Sequence, residues 1–377
     1  MFPAPRVAGM ATARHVRSRR HLSVGDLTGA VGDAVTVLPL VAAVGLLTPA
    51  SLSHVLAGFA VFQLVWGVAY GVPLSVEPMK ALAGLVVAGA ITYGELVAAG
   101  LLAGGLLLVA GRAGVVSRLA AVVGEPVIRG VQFAVACLLV IAAAGLVAAS
   151  PAIAIVGVAV AAVVAVRSVR PVALAVLAVG LLWAVVGGGV PAPSVPTPSA
   201  FPAGGPTPST SGLEATAAQL AMTIGNAAVA TSLLLSDLYD ADVSPDRLAE
   251  SMGAMNLTAV PLGAFPMCHG SGGLAGKHAF GARTSAANVA AAALYAGLAV
   301  GAGLFETFPM ALLGVLLLVV AASLARVALA RTDRHLFVVT VGLLAVVANV
   351  GVAFVAGAAW WLLRTRGFRR PGTNDGA

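Results

Sequence analysis

Long apolar runs, separated by brief polar, glycine or proline punctuation, fill the chain from Leu27 to Leu363. Runs of this kind predict membrane-spanning helices, since a hydrocarbon core asks for roughly 20 apolar residues per straight span. In the first half they cover 27–47, 53–70, 95–111, 126–147, 151–166 and 172–190. In the second they cover 213–238, 248–259, 286–302, 309–329 and 336–363, the last expected to be two short spans turning near Asn349. Several runs are shorter than a straight span prefers, so breaks or local thinning are expected.

Two further segments, 73–90 and 260–283, do not read as continuous helices. The second, VPLGAFPMCHGSGGLAGKHAFGAR, sets Pro261 and Pro266 ahead of five glycines. Proline removes a backbone donor and breaks a helix running into it, and glycine lets other groups approach the backbone closely. The expectation is a segment that enters extended, breaks near mid-membrane and restarts as a half-helix from about Met267. Broken backbone at that depth is tolerated only inside protein or against a watery cavity. A helix start also presents free N–H groups and a positive dipole end, which suit an anion.

The first half carries the same phrase. Val72-Pro73-Leu74, then Pro78-Met79, returns 188 positions later as Val260-Pro261-Leu262, then Pro266-Met267. Gly32-Asp33-Ala34-Val35 likewise echoes in Gly225-Asn226-Ala227-Ala228-Val229. Matching interrupted segments in two halves point to a secondary transporter's binding site. Residues 191–212, rich in Pro, Ser, Thr and Gly and free of charge, read as a flexible, partly polyproline-like linker. The organisation expected is therefore a basic tail (1–24), a first transmembrane repeat (25–190), the linker, a second repeat (213–363) and a tail (364–377). Counting each broken segment as one element gives an all-α polytopic membrane protein of seven plus seven inverted elements.

Composition narrows the class. Hydrophobic residues make up 60% of the chain and charged residues 9%, with a mean hydropathy of +1.02; a soluble domain of this length is excluded. The two cysteines, Cys137 and Cys268, suggest neither a disulfide framework nor a metal site. The net charge of +7 does not indicate nucleic acid, because the basic residues lie at the ends of apolar runs. The N-terminal arginines are not followed by a signal-peptide core and read as a cytoplasmic tail. With an even count, both termini share a side. Arg112, Arg118, Arg129, Arg167, Arg170, Arg247, Lys277, Arg283, Arg326, Arg331, Arg334 and Arg364 then fall at cytoplasmic ends, with Glu95, Glu214 and Glu306 opposite. Lys80 alone has no loop to sit in. It is either functional at depth or a lysine that snorkels to the interface.

The phrases PMK (78–80), PMCHG (266–270), GGLAG (272–276) and FGART (280–284) resemble those of the molybdate transporter family, related to the SulP sulfate permeases. Arg129-Gly130-Val131-Gln132 and Gly253-Ala254-Met255-Asn256-Leu257 are similar to that family's fifth span and to the approach to its second motif. The resemblance implies a core domain (spans one to four and eight to eleven) moving against a gate domain (five to seven and twelve to fourteen), with substrate between the two broken helices. Three departures stand out. Glu77 replaces the family's Gln, and a carboxylate there repels an anion unless protonated or paired with Lys80. The region of Gln219 lacks a proline, and no regulatory domain is expected after Arg370.

The substrate-binding candidates are Glu77, Pro78, Met79, Lys80, Pro266, Met267, Cys268, His269 and Gly270. By the 188-residue offset, Cys268 stands where Lys80 stands in the first half. His269 either donates to an oxyanion or carries a coupling proton, or it is a packing residue bonded to backbone. Asp33, Gln132, Gln219 and Asn226 line the cavity or hold a coupling cation, or they only bridge helices. Arg283 marks a boundary or touches substrate. The expected activity is secondary transport of molybdate or a similar oxyanion (sulfate, tungstate) across the cell membrane by alternating access. A nucleobase or organic-anion permease is the rival; an integral membrane enzyme lacks a catalytic partner for His269 and Cys268. Expected partners are the anion and membrane lipid, with a coupling proton or cation and a homodimer left open. No cofactor, metal or nucleic acid is expected.

Overall fold

A computed structural model describes residues 22–367. The expected tails, up to residue 21 and after 367, lie outside the described residues. In chain order the helices are α1 (Val24–Leu47), α2 (Leu52–Tyr70), α3 (Lys80–Val87), α4 (Tyr93–Arg112), α5 (Val116–Val123), α6 (Glu125–Ala149), α7 (Pro151–Arg167) and α8 (Val172–Gly188). Then come α9 (Thr210–Met222), which continues through a π-helical stretch (Thr223–Ala230) into α10 (Thr231–Tyr239), and α11 (Pro245–Ala259). The chain closes with α12 (Ser271–Ala279), α13 (Ala286–Val300), α14 (Met310–Ala330), α15 (His335–Val347) and α16 (Val350–Gly367). Short strands β1 (Val76–Pro78) and β2 (Met267–His269) precede α3 and α12.

Local chemistry sets several ends. Ser23 accepts from the Asp26 N–H at 3.0 Å while Asp26 accepts from the Ser23 N–H, a reciprocal cap that starts α1. Thr92 and Glu95 do the same for α4. The stretch 336–363 is indeed two helices, parted at Ala348 and Asn349. The short helix α5 was not expected, since it adds no apolar run of its own.

Among the described residues, six helices are long and apolar enough to cross a membrane: α1, α2, α4, α6, α14 and the joined α9–α10. Exposed valines such as Val166 and Val186 cover outer faces, while Asp33, Gln63, Glu77, Lys277 and Asn288 are buried. Polar inside and apolar outside is the arrangement that lipid imposes. The two halves interleave. α2 packs on α13, α4 on α11, and α1 on α12 and α13; α6 packs on α14 and α15, and α8 on α7 and α14. α3 and α9 join these groups by touching α6.

Residues 191–209 lack regular structure, with a turn near Phe201, and are tied to neighbouring helices before α9 begins at Thr210. The Ser194 N–H donates to Val300 O, Phe201 N–H to Pro261 O and Thr207 N–H to Gly94 O, at 2.7–2.9 Å. The stretch joins the two halves as expected of a linker, and these three N–H groups anchor it to the segments alongside.

Candidate functional site

α3 and α12 have eight and nine residues, far too few to span. Each stops inside the protein, and its strand must satisfy the backbone groups left over. β1 and β2 do this for each other, pairing antiparallel with Val76 opposite His269, Glu77 opposite Cys268 and Pro78 opposite Met267. Flanking bonds from the Met79 N–H to Pro266 O (2.9 Å) and the Gly270 N–H to Ser75 O (3.2 Å) extend the ladder. The outer edges are covered by side-chain amides. Asn256 brackets Met267, accepting from its N–H and donating to its carbonyl, both at 2.7 Å. Gln63 donates to Val76 O at 3.2 Å and Asn288 to Leu74 O at 2.6 Å. These three amides were missed as site residues, though Gln63 and Asn288 are lone polar residues in apolar runs.

The pairing corrects two sequence expectations. The half-helix begins at Ser271, not Met267, because residues 267–269 are held as strand. The structural register between the halves is 191 positions, matching Glu77 with Cys268 and Lys80 with Ser271. Cys268 is therefore not the counterpart of Lys80; the repeated VPL…PM phrase is displaced by three residues, almost one helical turn.

Strand geometry then sorts the candidates. Directly opposed side chains share a face and alternate along the strand. Glu77 and Cys268 lie on one face; Pro78, Met267 and His269 lie on the other. The Glu77 carboxylate accepts from the Gly273 N–H at the start of α12, from Thr36 Oγ1 (3.1 Å) and from the Lys80 ammonium. Gly270 and Gly273 make room for it, since a Cβ at either would collide with the Glu77 carboxyl group. Lys80 is the open member of the pair, with its side chain 23% exposed against 2% for Glu77. Beside it Ser271 is partly exposed and Gly272 exposed, and their N–H groups have no hydrogen-bond partner among the described residues. Ser271 and Gly272 were also not singled out.

The start of α3 is different. The Ala81 and Leu82 N–H groups both donate to Gln219 Oε1, at 2.9 and 3.2 Å, and Gln219 Nε2 donates to Thr223. Two of the amides expected to face a substrate are thus already capped by a side chain from α9.

Asp33 lies in a second cluster just behind. It accepts from Ser75, Gln63 and Tyr295 and forms an ion pair with Lys277 Nζ at 3.7 Å, both side chains being fully buried. Lys277 also donates to Gln63 Oε1 (2.9 Å), Leu74 O (3.2 Å) and Asn288 Oδ1 (3.2 Å). Lys277 was expected only as a charge at a cytoplasmic end; it lies in the last turn of α12 but is fully buried and ion-paired. A lysine can be buried when a carboxylate and three oxygens replace its water.

The remaining candidates lie apart. Met79, Met267 and His269 are fully buried, and Cys268 is buried with Sγ 3.9 Å from Pro78 O. His269 Nε2 is 2.7 Å from Ser251 Oγ, and its ring meets Trp66 and Tyr70 edge-on. Its Nδ1 forms no well-shaped hydrogen bond, with the Ser75 backbone beside it. Pro266 is buried, its ring against Gly100 of α4. Gln132 and Asn226 come together through Arg129, whose Nη1 donates to both at 3.1 Å. Arg129 is buried near the start of α6. Asn226 belongs to the π-helical stretch, a distortion frequent at functional sites. Arg283 closes the far end of α12 on the carbonyls of His278 and Ala282.

This fold and these motifs have relatives. Solved structures of similar shape include the transmembrane domain of the cyanobacterial bicarbonate transporter BicA (TM-score 0.61, 18% identity, covering 88% of this chain and 96% of that one). Another is the murine anion transporter Slc26a9 in its inward-facing state (TM-score 0.70, 13% identity, 93% and 69%). Among curated proteins, molybdate transporter 2 of Arabidopsis thaliana is 27% identical over 83% of this chain and 80% of its own length. The profile described as "Molybdate transporter of MFS superfamily" matches residues 25–139 and 211–324, which take in both strand and half-helix units. The chain belongs to the molybdate transporter family.

Proposed function

We propose that this protein carries molybdate, or a similar tetrahedral oxyanion such as sulfate or tungstate, across the cell membrane by secondary transport. The anion is held at the start of α12 by the Ser271 and Gly272 amides and by Lys80. One observation carries the reading: the Glu77 carboxylate, itself an oxygen anion, already rests on the neighbouring Gly273 amide and on Lys80. Preorganised N–H groups and a single ammonium favour a divalent oxyanion without trapping it. Met79, Met267 and His269 shape the site from behind and do not touch substrate.

Transport follows from movement of one helix group (α1–α4 and α9–α13) against the other (α6–α8 and α14–α16), which exposes the site to alternate sides. These are the core and gate of the seven-plus-seven arrangement. Both termini are cytoplasmic, in keeping with the distribution of exposed arginines. The Asp33–Lys277 pair is suited to hold the coupling proton or cation.

Uptake of molybdate into proteoliposomes, in competition with sulfate and with uracil, tests this. Molybdate enters, sulfate competes and uracil does not; Lys80→Ala lowers uptake at least about tenfold, the loss of one charge-assisted contact. Failure of molybdate to enter or compete sinks the assignment.

A further inference from the structure

The last two helices border an open cavity of about 420 Å³ that the transport site does not use. It lies between the α14–α15 turn and the end of α16, and its walls include Arg334, Phe337, Trp360, Trp361 and Arg364, with Asp333 alongside. The rings and cations form one cluster. Arg334 lies over Trp361 (5.0 Å to the ring centre) and Arg364 over Trp360 (5.8 Å). Phe337 meets both tryptophans, at 5.1 and 6.3 Å.

Stacking fixes a guanidinium by its face and leaves its N–H edges free for an acceptor. Neither arginine belongs to an ion pair among the described residues. Two guanidinium groups in one cavity, without an ion-pair partner among the described residues, match a phosphate, which Arg recognises through parallel N–H bonds. The setting says where that phosphate comes from. Tryptophans favour the membrane–water boundary, and Leu336 and Leu363, at 79% and 74% exposure, leave apolar surface beside the cavity. A free anion has no use for such a flank, whereas an acyl chain does.

We infer that this cavity binds the phosphate headgroup of an acidic phospholipid, with the acyl chains lying along α15 and α16. Basic pockets between helices at a membrane face take such headgroups, and each basic residue adds to the attraction. None of Glu77, Lys80, Ser271 and Gly272 lines this cavity, so the site stands or falls independently of the transport reading.

The test uses the full chain in detergent, with native mass spectrometry of lipid adducts. Phosphatidylglycerol is expected to bind more tightly than phosphatidylcholine. Arg334→Gln with Arg364→Gln should weaken the phosphatidylglycerol complex by about tenfold or more and leave phosphatidylcholine unchanged. Equal binding of the two lipids, or a preference that survives the double variant, overturns the inference. So does glycerol 3-phosphate displacing phosphatidylglycerol at equal concentration, since the site would then serve a soluble anion. A second measurement needs no variant. Phosphatidylglycerol brominated on its acyl chains should quench tryptophan fluorescence more than brominated phosphatidylcholine, and equal quenching counts against the site.

Discussion

Glu77→Gln is the most informative single change. The carboxylate is held by Gly273, Thr36 and Lys80, and it stands on the donors assigned to the substrate. As a charge it repels the anion; as an oxygen acceptor it organises the site. Glutamine keeps an acceptor of the same length and removes the charge. At about 5 Å and an effective dielectric of about 20, each unit charge contributes about 3 kcal/mol, and a divalent anion feels about twice that. Lys80 is partly open to water, which screens the interaction. Even a quarter of the sum, about 1.5 kcal/mol, is about tenfold in affinity. Titration calorimetry of molybdate with purified protein should therefore show at least a tenfold lower Kd for Glu77→Gln. An unchanged Kd would mean that Glu77 is no charged competitor. A weaker one would mean that its charge is needed to orient Lys80, and either result refutes the reasoning.

Further outcomes follow from the buried network. Lys277→Met leaves Asp33 without its cation and should destabilise the protein by about 3–5 kcal/mol, read as a lowered Tm in detergent. Adding Asp33→Asn should recover part of that loss, because the uncompensated charge is gone; a purely additive double variant would deny the coupling. Gly273→Ala puts a Cβ against the Ser75 hydroxyl and the carboxylates of Glu77 and Asp33. It should cost about 1–3 kcal/mol through overpacking and abolish uptake; normal uptake would show that α12 can shift freely. Asn256→Ala strands the Met267 N–H and carbonyl and should lower the Tm by the equivalent of about 1–3 kcal/mol.

Much of this architecture was legible because membrane insertion writes itself into sequence. The apolar runs located the helices, and the prolines at 78 and 266 located the breaks. The finer site was not legible. Strands of three residues, one bearing a proline, show no alternation, so nothing local revealed that Glu77 would face Cys268. The repeated VPL…PM phrase suggested a register of 188, but the pairing enforces 191, and that slip moved attention from Ser271 to Cys268. Charge placement gave Lys277 a cytoplasmic end and no partner, since Asp33 lies in the other half of the chain. Gln219 is the instructive case. Its polarity in an apolar run marked it, but only the fold shows that its oxygen takes the α3 amides.

The account rests on where the anion sits. Crystals grown with tungstate, an electron-dense stand-in for molybdate, would locate it by anomalous scattering. The account predicts a single strong peak within hydrogen-bond reach of Lys80 Nζ and the Ser271 and Gly272 amides, with Glu77 turned aside. A peak beside His269 and Ser251, or one at the end of α12 near Arg283, would contradict it.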